Sequence, residues 1–152
     1  MKISIFLLTM LLHCGLLNAQ DSVHIKRIDS LAGVISDKAV TRKHKVVEGS
    51  LLQEGNKTSS IRFHIDSNRV EMIVVESSLK DNVTLYFFDD EKLLYTANFT
   101  NGNYNEIESS FYFINNAAYK KQGNNLKKVN SDFFMNRVSS YFDLFKEQLK
   151  VN

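Results

Sequence analysis

The chain has 152 residues, of which 43% are hydrophobic and 24% are charged, and its formal net charge is +2. This length is that of one ordinary domain, and the composition excludes an intrinsically disordered or collagen-like chain. A single cysteine excludes a disulfide framework and a zinc site built from several cysteines.

The first 19 residues have the pattern of a secretory signal peptide. A lysine precedes a long apolar run, and Ala19 stands before a polar segment. The run is shorter than the ~20 residues that a spanning helix needs. We therefore expect cleavage near Ala19 and a single exported domain, periplasmic or extracellular, over residues 20–152. The alternative is a lipid anchor on Cys14, although His13 stands where a lipobox has a small residue.

The predicted mature domain has a net charge close to zero and no second long apolar run. The weak charge predicts no nucleic-acid partner, because such binding needs a basic surface. We also expect no transmembrane segment after cleavage, so that any association with the cell envelope would be peripheral.

Apolar residues at helical spacing predict a first helix over residues 22–36. Residues 37–45 are polar and basic, which is typical of a connector. From residue 46 to residue 121 the period changes to two, which predicts strands. The clearest strands cover residues 58–65, 70–76, 83–88, 92–100 and 105–114.

Short polar turns separate these strands, so neighbours must be antiparallel and follow an up-and-down order. We expect five to seven strands, and a loop over residues 122–130. A second amphipathic helix is predicted over residues 131–149, with Asp132 in its first turn, where the helix dipole favours an anion. The predicted fold is α+β, an antiparallel meander with both helices packed on one face of the sheet, or with the sheet curled partly around one helix.

This strand order places three turns at one edge of the sheet. They gather four carboxylates and two amides, which are our candidate ligand-binding residues: Asp66, Asp89, Asp90, Glu91, Asn115 and Asn116. Such oxygen atoms suit a weak calcium site or the polar rim of a sugar or peptide site. The alternative is that they are there only because turns favour Asp and Asn.

The sequence shows no catalytic motif, and we assign no catalytic residue, metal ligand or cofactor. His24, His44 and His64 fall in different predicted elements and lack metal-ligand spacing. A basic stretch without an acid contains Lys120, Lys121, Lys127 and Lys128. These lysines fit solvated loops and a charged edge strand that discourages aggregation, or a surface for an anionic glycolipid or an acidic partner.

Abundant Asn, Lys, Ile and Phe without proline or tryptophan is typical of an exported bacterial protein from an AT-rich genome. Leu-Asn-Ala-Gln after the apolar run, followed by the predicted helix, aromatic meander and helix, resembles the small exported proteins of Bacteroidetes. Asp21-Ser22-Val23 and Asp29-Ser30-Leu31 are similar to the O-glycosylation motif of that phylum. The resemblance implies a periplasmic or surface location and no activity.

These observations favour a non-enzymatic binding or interaction module outside the cytoplasm, with a protein or a small molecule as its ligand. Two alternatives remain open. One is a small envelope hydrolase whose site is assembled from dispersed residues, and the other is an inhibitor- or immunity-like protein that docks on an enzyme. A hydrolase should bring polar groups with shifted pKa values together in one pocket.

Overall fold

The computed structural model describes residues 22–53, 57–77, 82–100, 106–122 and 125–151. The predicted signal peptide, its cleavage site and Cys14 lie outside the described residues.

One antiparallel sheet of eight strands forms the middle of the molecule, and each strand pairs with the next along the chain. The strands are β1 (Lys45–Gln53), β2 (Lys57–Asp66), β3 (Arg69–Ser77), β4 (Asn82–Asp89), β5 (Lys92–Phe99), β6 (Ile107–Ile114), β7 (Ala117–Gln122) and β8 (Asn125–Val129). The predicted up-and-down order is confirmed, and the prediction of five to seven strands falls short by at least one.

The eighth strand lies in the segment that we predicted as a loop over residues 122–130. That segment contains the end of β7 and all of β8. The error has a physical cause: β8 is mostly polar, and its two apolar residues, Leu126 and Val129, stand three positions apart, so the strand shows no period-two alternation.

Two helices accompany the sheet. The first, α1, covers residues 22–40, four residues beyond the predicted end. It ends in a Schellman-type cap, in which the Lys43 N–H donates to the Lys38 carbonyl and Arg42 takes a left-handed φ of 56°. The second, α2 (Asp132–Val151), lies where it was predicted, and the Asn130 side chain accepts a hydrogen bond from the Asp132 N–H.

The helices lie on opposite faces of the sheet, which corrects our expectation that both pack on one face. Phe134, Val138 and Tyr141 of α2 share a core with one set of strand residues, whereas Ile28 and Ile35 of α1 share a core with the other set. The middle strands are apolar on both sides because each side is covered by a helix. The molecule thus has three layers, with the sheet between the helices.

No helix in the described ranges is both long enough and apolar enough to cross a membrane.

Candidate functional site

Three two-residue turns lie at the same end of the strands, between β2 and β3, β4 and β5, and β6 and β7. Both central residues of each turn have positive φ, between 50° and 66°, which is the pattern of a type I′ hairpin. The central residues are Ser67, Asn68, Asp90, Glu91, Asn115 and Asn116. The backbone conformation thus accounts for most of the Asp and Asn residues, since these residues tolerate the left-handed region.

Of the six residues that we predicted as a ligand rim, three line a common groove and the other three do not. The Asp66 carboxylate accepts a hydrogen bond from Lys38 Nζ at 2.7 Å, and Asp90 pairs with Arg69 at 2.9 Å. Asp89 ends β4 and is exposed. Two of the four carboxylates are therefore neutralised by a neighbouring cation.

The other three rim residues, Glu91, Asn115 and Asn116, line one groove of about 580 Å³. We call it the end groove, and its remaining lining residues are Lys92, Leu93, Leu94, Phe113, Met135 and Val138. The polar groups come from two of these turns and from Lys92 at the start of β5, whereas the apolar floor comes from β5, β6 and the first half of α2. The groove therefore presents a carboxylate, an ammonium group and two amides beside an apolar surface.

Glu91 is an unusual residue at its position in this groove. It has a φ of 63° at the second central position of a type I′ turn, where glycine is preferred. A residue with a Cβ and no short amide or carboxylate side chain rarely occupies this region, because the left-handed conformation costs about 1–2 kcal/mol. Glu91 thus combines a backbone cost with a carboxylate placed on the groove.

A second polar site, which we did not predict from the sequence, lies on the α1 face near the turn between β2 and β3. We call it the histidine–carboxylate cluster, and it consists of Lys38, His44, His64, Asp66 and Glu71. Lys38 Nζ, in the last turn of α1, donates to Asp66 and also to Glu71 at 3.0 Å. His44 Nε2 donates to Glu71 Oε2 at 2.8 Å. Glu71 thus joins α1 and the connection after it to the sheet.

The position of Glu71 depends on a β-bulge. Ile65 of β2 pairs with Val70 and His64 pairs with Met72, so Glu71 is the extra residue on β3. The bulge turns a strand carboxylate toward the end of α1. Alternation alone would not reveal this, since a bulge breaks the period-two pattern that we used.

The two imidazoles of the cluster pack edge to face, with their ring centroids 5.7 Å apart. The His44 side chain is only 1% exposed, and the Nδ1 atoms of His44 and His64 are both buried without a hydrogen-bond partner. Burial, together with the neighbouring His44 and Arg62, lowers the pKa of His64 to about 4. The fold therefore keeps the His64 ring neutral over most of the physiological pH range.

Ion pairing shifts the other side of the cluster in the opposite sense. The hydrogen bond from Lys38 lowers the pKa of the Asp66 carboxyl, with a smaller effect from Ser67. The bonds to Asp66 and Glu71 raise the pKa of Lys38. Both shifts favour the charged pair. Among the described residues, however, no three His, Cys, Asp or Glu side chains are arranged to hold a metal ion.

Another hollow, of about 460 Å³, lies beside α1 over β5, β6 and β7. In it the Tyr112 hydroxyl donates to the Asp29 carboxylate at 2.8 Å. Burial, and then this hydrogen bond, raise the pKa of Tyr112. The bond fastens α1 to the sheet, and a sequence reading could not reveal it because 83 residues separate the two partners.

A comparison of the chain with known proteins finds no matching family model, and no curated protein or solved structure matches it significantly.

Proposed function

We propose that this protein is a non-enzymatic binding module that is exported from a bacterial cell and takes a small ligand in the end groove. The signal-like N-terminus and the resemblance to exported proteins support the location. The ligand is a small molecule or a segment of a protein, and nucleic acid is not among the expected partners because the chain is nearly neutral.

The observation that carries the proposal is the composition of the end groove. Glu91, Asn115 and Asn116 offer acceptors and donors at its polar side, while Phe113 and Val138 form part of an apolar floor. Ligand sites in proteins combine a mostly apolar concave surface with a few placed polar groups. Loops held by a rigid scaffold are the usual place for them, and these turns are fixed by the paired strands on each side.

The chemistry of the groove fits an amphipathic ligand of the size of a disaccharide or a short peptide. Hydroxyl or amide donors would bond to Glu91 and to the two Asn side chains, and an apolar part would cover the floor. A volume of about 580 Å³ lies within the range of small-ligand pockets.

A thermal-shift screen of monosaccharides, disaccharides and short peptides against the exported chain tests this proposal. A ligand of the groove is expected to raise the melting temperature in a concentration-dependent manner. Glu91→Gly and Asn116→Gly keep the left-handed turn, since glycine tolerates positive φ, but they remove the polar groups. Both should abolish the shift.

Asp90→Gly is the matched control. It lies in the same turn, but its carboxylate pairs with Arg69 and does not line the groove. A ligand whose shift survives in Asp90→Gly and disappears in Glu91→Gly binds in the end groove. If no class of ligand changes the melting temperature, or if the groove variants respond like the wild type, the proposal is wrong.

The histidine–carboxylate cluster favours a hydrolase as a second candidate. It brings together several polar groups, of which Lys38, His64 and Asp66 have shifted pKa values. A histidine that donates to a carboxylate is also the arrangement that orients a general base.

Hydrolysis of nitrophenyl esters and glycosides by the exported chain tests this candidate. Wild-type turnover that falls at acid pH, and that is lost in a folded His44→Gln variant, would support the hydrolase candidate. Equal rates in the wild type and in His44→Gln would exclude a catalytic role for the cluster.

A further inference from the structure

The last strand of the sheet, β8, has one paired side and one open side. Its five residues pair with β7, and within the part of the chain that the structure describes no strand pairs with its other side. The open side of an edge strand presents backbone N–H and C=O groups that another extended chain can pair with. At about 3.3 Å per residue, this edge matches a segment of five or six residues.

Four lysines occupy β7 and β8, and we call this surface the lysine edge: Lys120, Lys121, Lys127 and Lys128. Lys120 lies directly opposite Lys127 in the strand register. Like charges at directly opposed positions destabilise a strand pair. The sheet thus has a local electrostatic cost at this edge.

The lysine edge forms no ion pair within the described part of the chain; Asp29 and Glu108 line the same hollow as Lys120 and Lys121 without pairing with them. Lys38, Arg62 and Arg69 each form an ion pair with a carboxylate, but none of the four edge lysines does so among the described residues. Lys120 lies 5.9 Å from the centre of the Phe111 ring, which gives it a cation–π contact only. Within the described ranges, the positive charge therefore remains unpaired and can meet the carboxylates of a partner.

Each face of the sheet carries two of these lysines. Ala118 and Val129 face the α2 side, and the register places Lys120 and Lys127 on that same side. Tyr119 and Leu126 face the α1 side, together with Lys121 and Lys128. An added strand would therefore meet positive charge with its side chains on both faces.

We propose that the lysine edge binds an acidic, extended segment of another protein, which adds to β8 as a ninth strand. Backbone hydrogen bonds to the open side of β8 supply the register, and carboxylates on both faces of the segment pair with the lysines. A second copy of this chain does not fit, because it would bring four more lysines to the same edge. The proposal does not depend on the end groove.

Protection against self-association also explains lysines on an edge strand. It does not explain why two of them are opposed across β7 and β8, since that arrangement adds a cost that separated lysines would avoid. An acidic segment removes this cost when it binds.

Fluorescence anisotropy tests the proposal. A labelled heptapeptide, Val-Glu-Glu-Val-Glu-Glu-Val, is titrated with the full exported chain. Two further peptides carry N-methyl groups on their odd or on their even residues. In an added strand only one of these two sets of N–H groups faces β8. We expect one methylated peptide to bind as the parent does and the other to lose binding.

The double variant Lys127→Glu/Lys128→Glu is expected to weaken the peptide by about tenfold or more, since two ion pairs become repulsive. The control, Lys26→Glu/Lys43→Glu, changes the net charge equally at exposed positions of α1 and of the connection after it. Circular dichroism shows whether each variant is folded.

Three results would overturn the proposal. The first is equal binding of both methylated peptides, which would show attraction between charges without strand pairing. The second is equal weakening in the control variant. The third is binding of heparin or of phosphatidylglycerol vesicles in the absence of peptide binding, which would make the lysine edge a general polyanion surface.

Discussion

At the scale of single residues, the histidine–carboxylate cluster shows what a sequence cannot reveal. His44, His64 and Glu71 stand in three different segments, and nothing in their spacing brings them together. Their proximity follows from the bulge on β3 and from the four extra residues of α1. By contrast, the common location of the end-groove turns was predictable, because short hairpins between consecutive antiparallel strands place alternate turns at the same end of the sheet.

His64 makes the stability of the fold depend on pH. Its pKa is about 4 in the folded chain and has its ordinary value of 6.5 in the unfolded chain, which therefore binds more protons between these values. The contribution of the neutral His64 ring to the free energy of unfolding is fully present above pH 6.5 and is lost as the pH drops toward 4. The lowered pKa of Asp66 acts in the same direction at still lower pH, below its ordinary value of 3.8.

We expect urea denaturation at pH 5 and pH 7 to show this loss in the wild type, at about 1–2 kcal/mol once partial exposure of the ring is allowed for. His64→Gln should flatten the dependence between these two pH values. His24→Gln, in the first turns of α1, is the control and should leave the pH dependence of the unfolding free energy unchanged. An unchanged slope in His64→Gln would refute this origin.

At the scale of elements, apolar periodicity predicted those segments that bury a face. It located α2 almost to the residue, because its apolar stripe packs directly on the sheet: Phe134 on Phe111 at 4.7 Å and Phe145 on Phe63 at 5.0 Å. It missed β8, where only Leu126 and Val129 pack against the cores. It gave the wrong placement of the helices, which we expected on one face of the sheet, since a pattern gives the apolar face of an element but not its partner.

Two glycines give opposite predictions for these elements. Gly33 lies in the middle of α1, and a Cβ there would meet no atom within 4 Å. Gly33→Ala should therefore stabilise the protein by about 0.5–1 kcal/mol, because alanine restricts the unfolded chain and fits the helix.

Gly49 lies on β1 beneath α2, where a Cβ would lie 3.2 Å from Ile61 Cγ2 and 3.6 Å from Leu144 Cδ2. Gly49→Leu should cost about 1–3 kcal/mol, since the added side chain pushes the helix off the strand. Chemical denaturation of both variants checks the pair. A gain in stability from Gly49→Leu would show that α2 does not approach β1 this closely.

At the scale of the whole molecule, the sheet serves two cores at once. Strand β3 gives Ile73 and Val75 to the α2 side and Met72 and Val74 to the α1 side. A change in either core therefore acts on strands that the other core also needs. This arrangement predicts that both helices and the sheet unfold as one cooperative unit.

Native-state hydrogen exchange tests this cooperativity. Ile35→Ala, in the α1 core, should cost about 2–5 kcal/mol and lower the protection of the amides in α2 by the same amount. Phe134→Ala, in the α2 core, should do the same to the amides of α1. If Ile35→Ala instead exposes the α1 amides alone and leaves those of α2 protected, the helix opens by itself. The contacts of Lys38 and Asp29 with the sheet would then be too weak to hold α1 once its core is reduced.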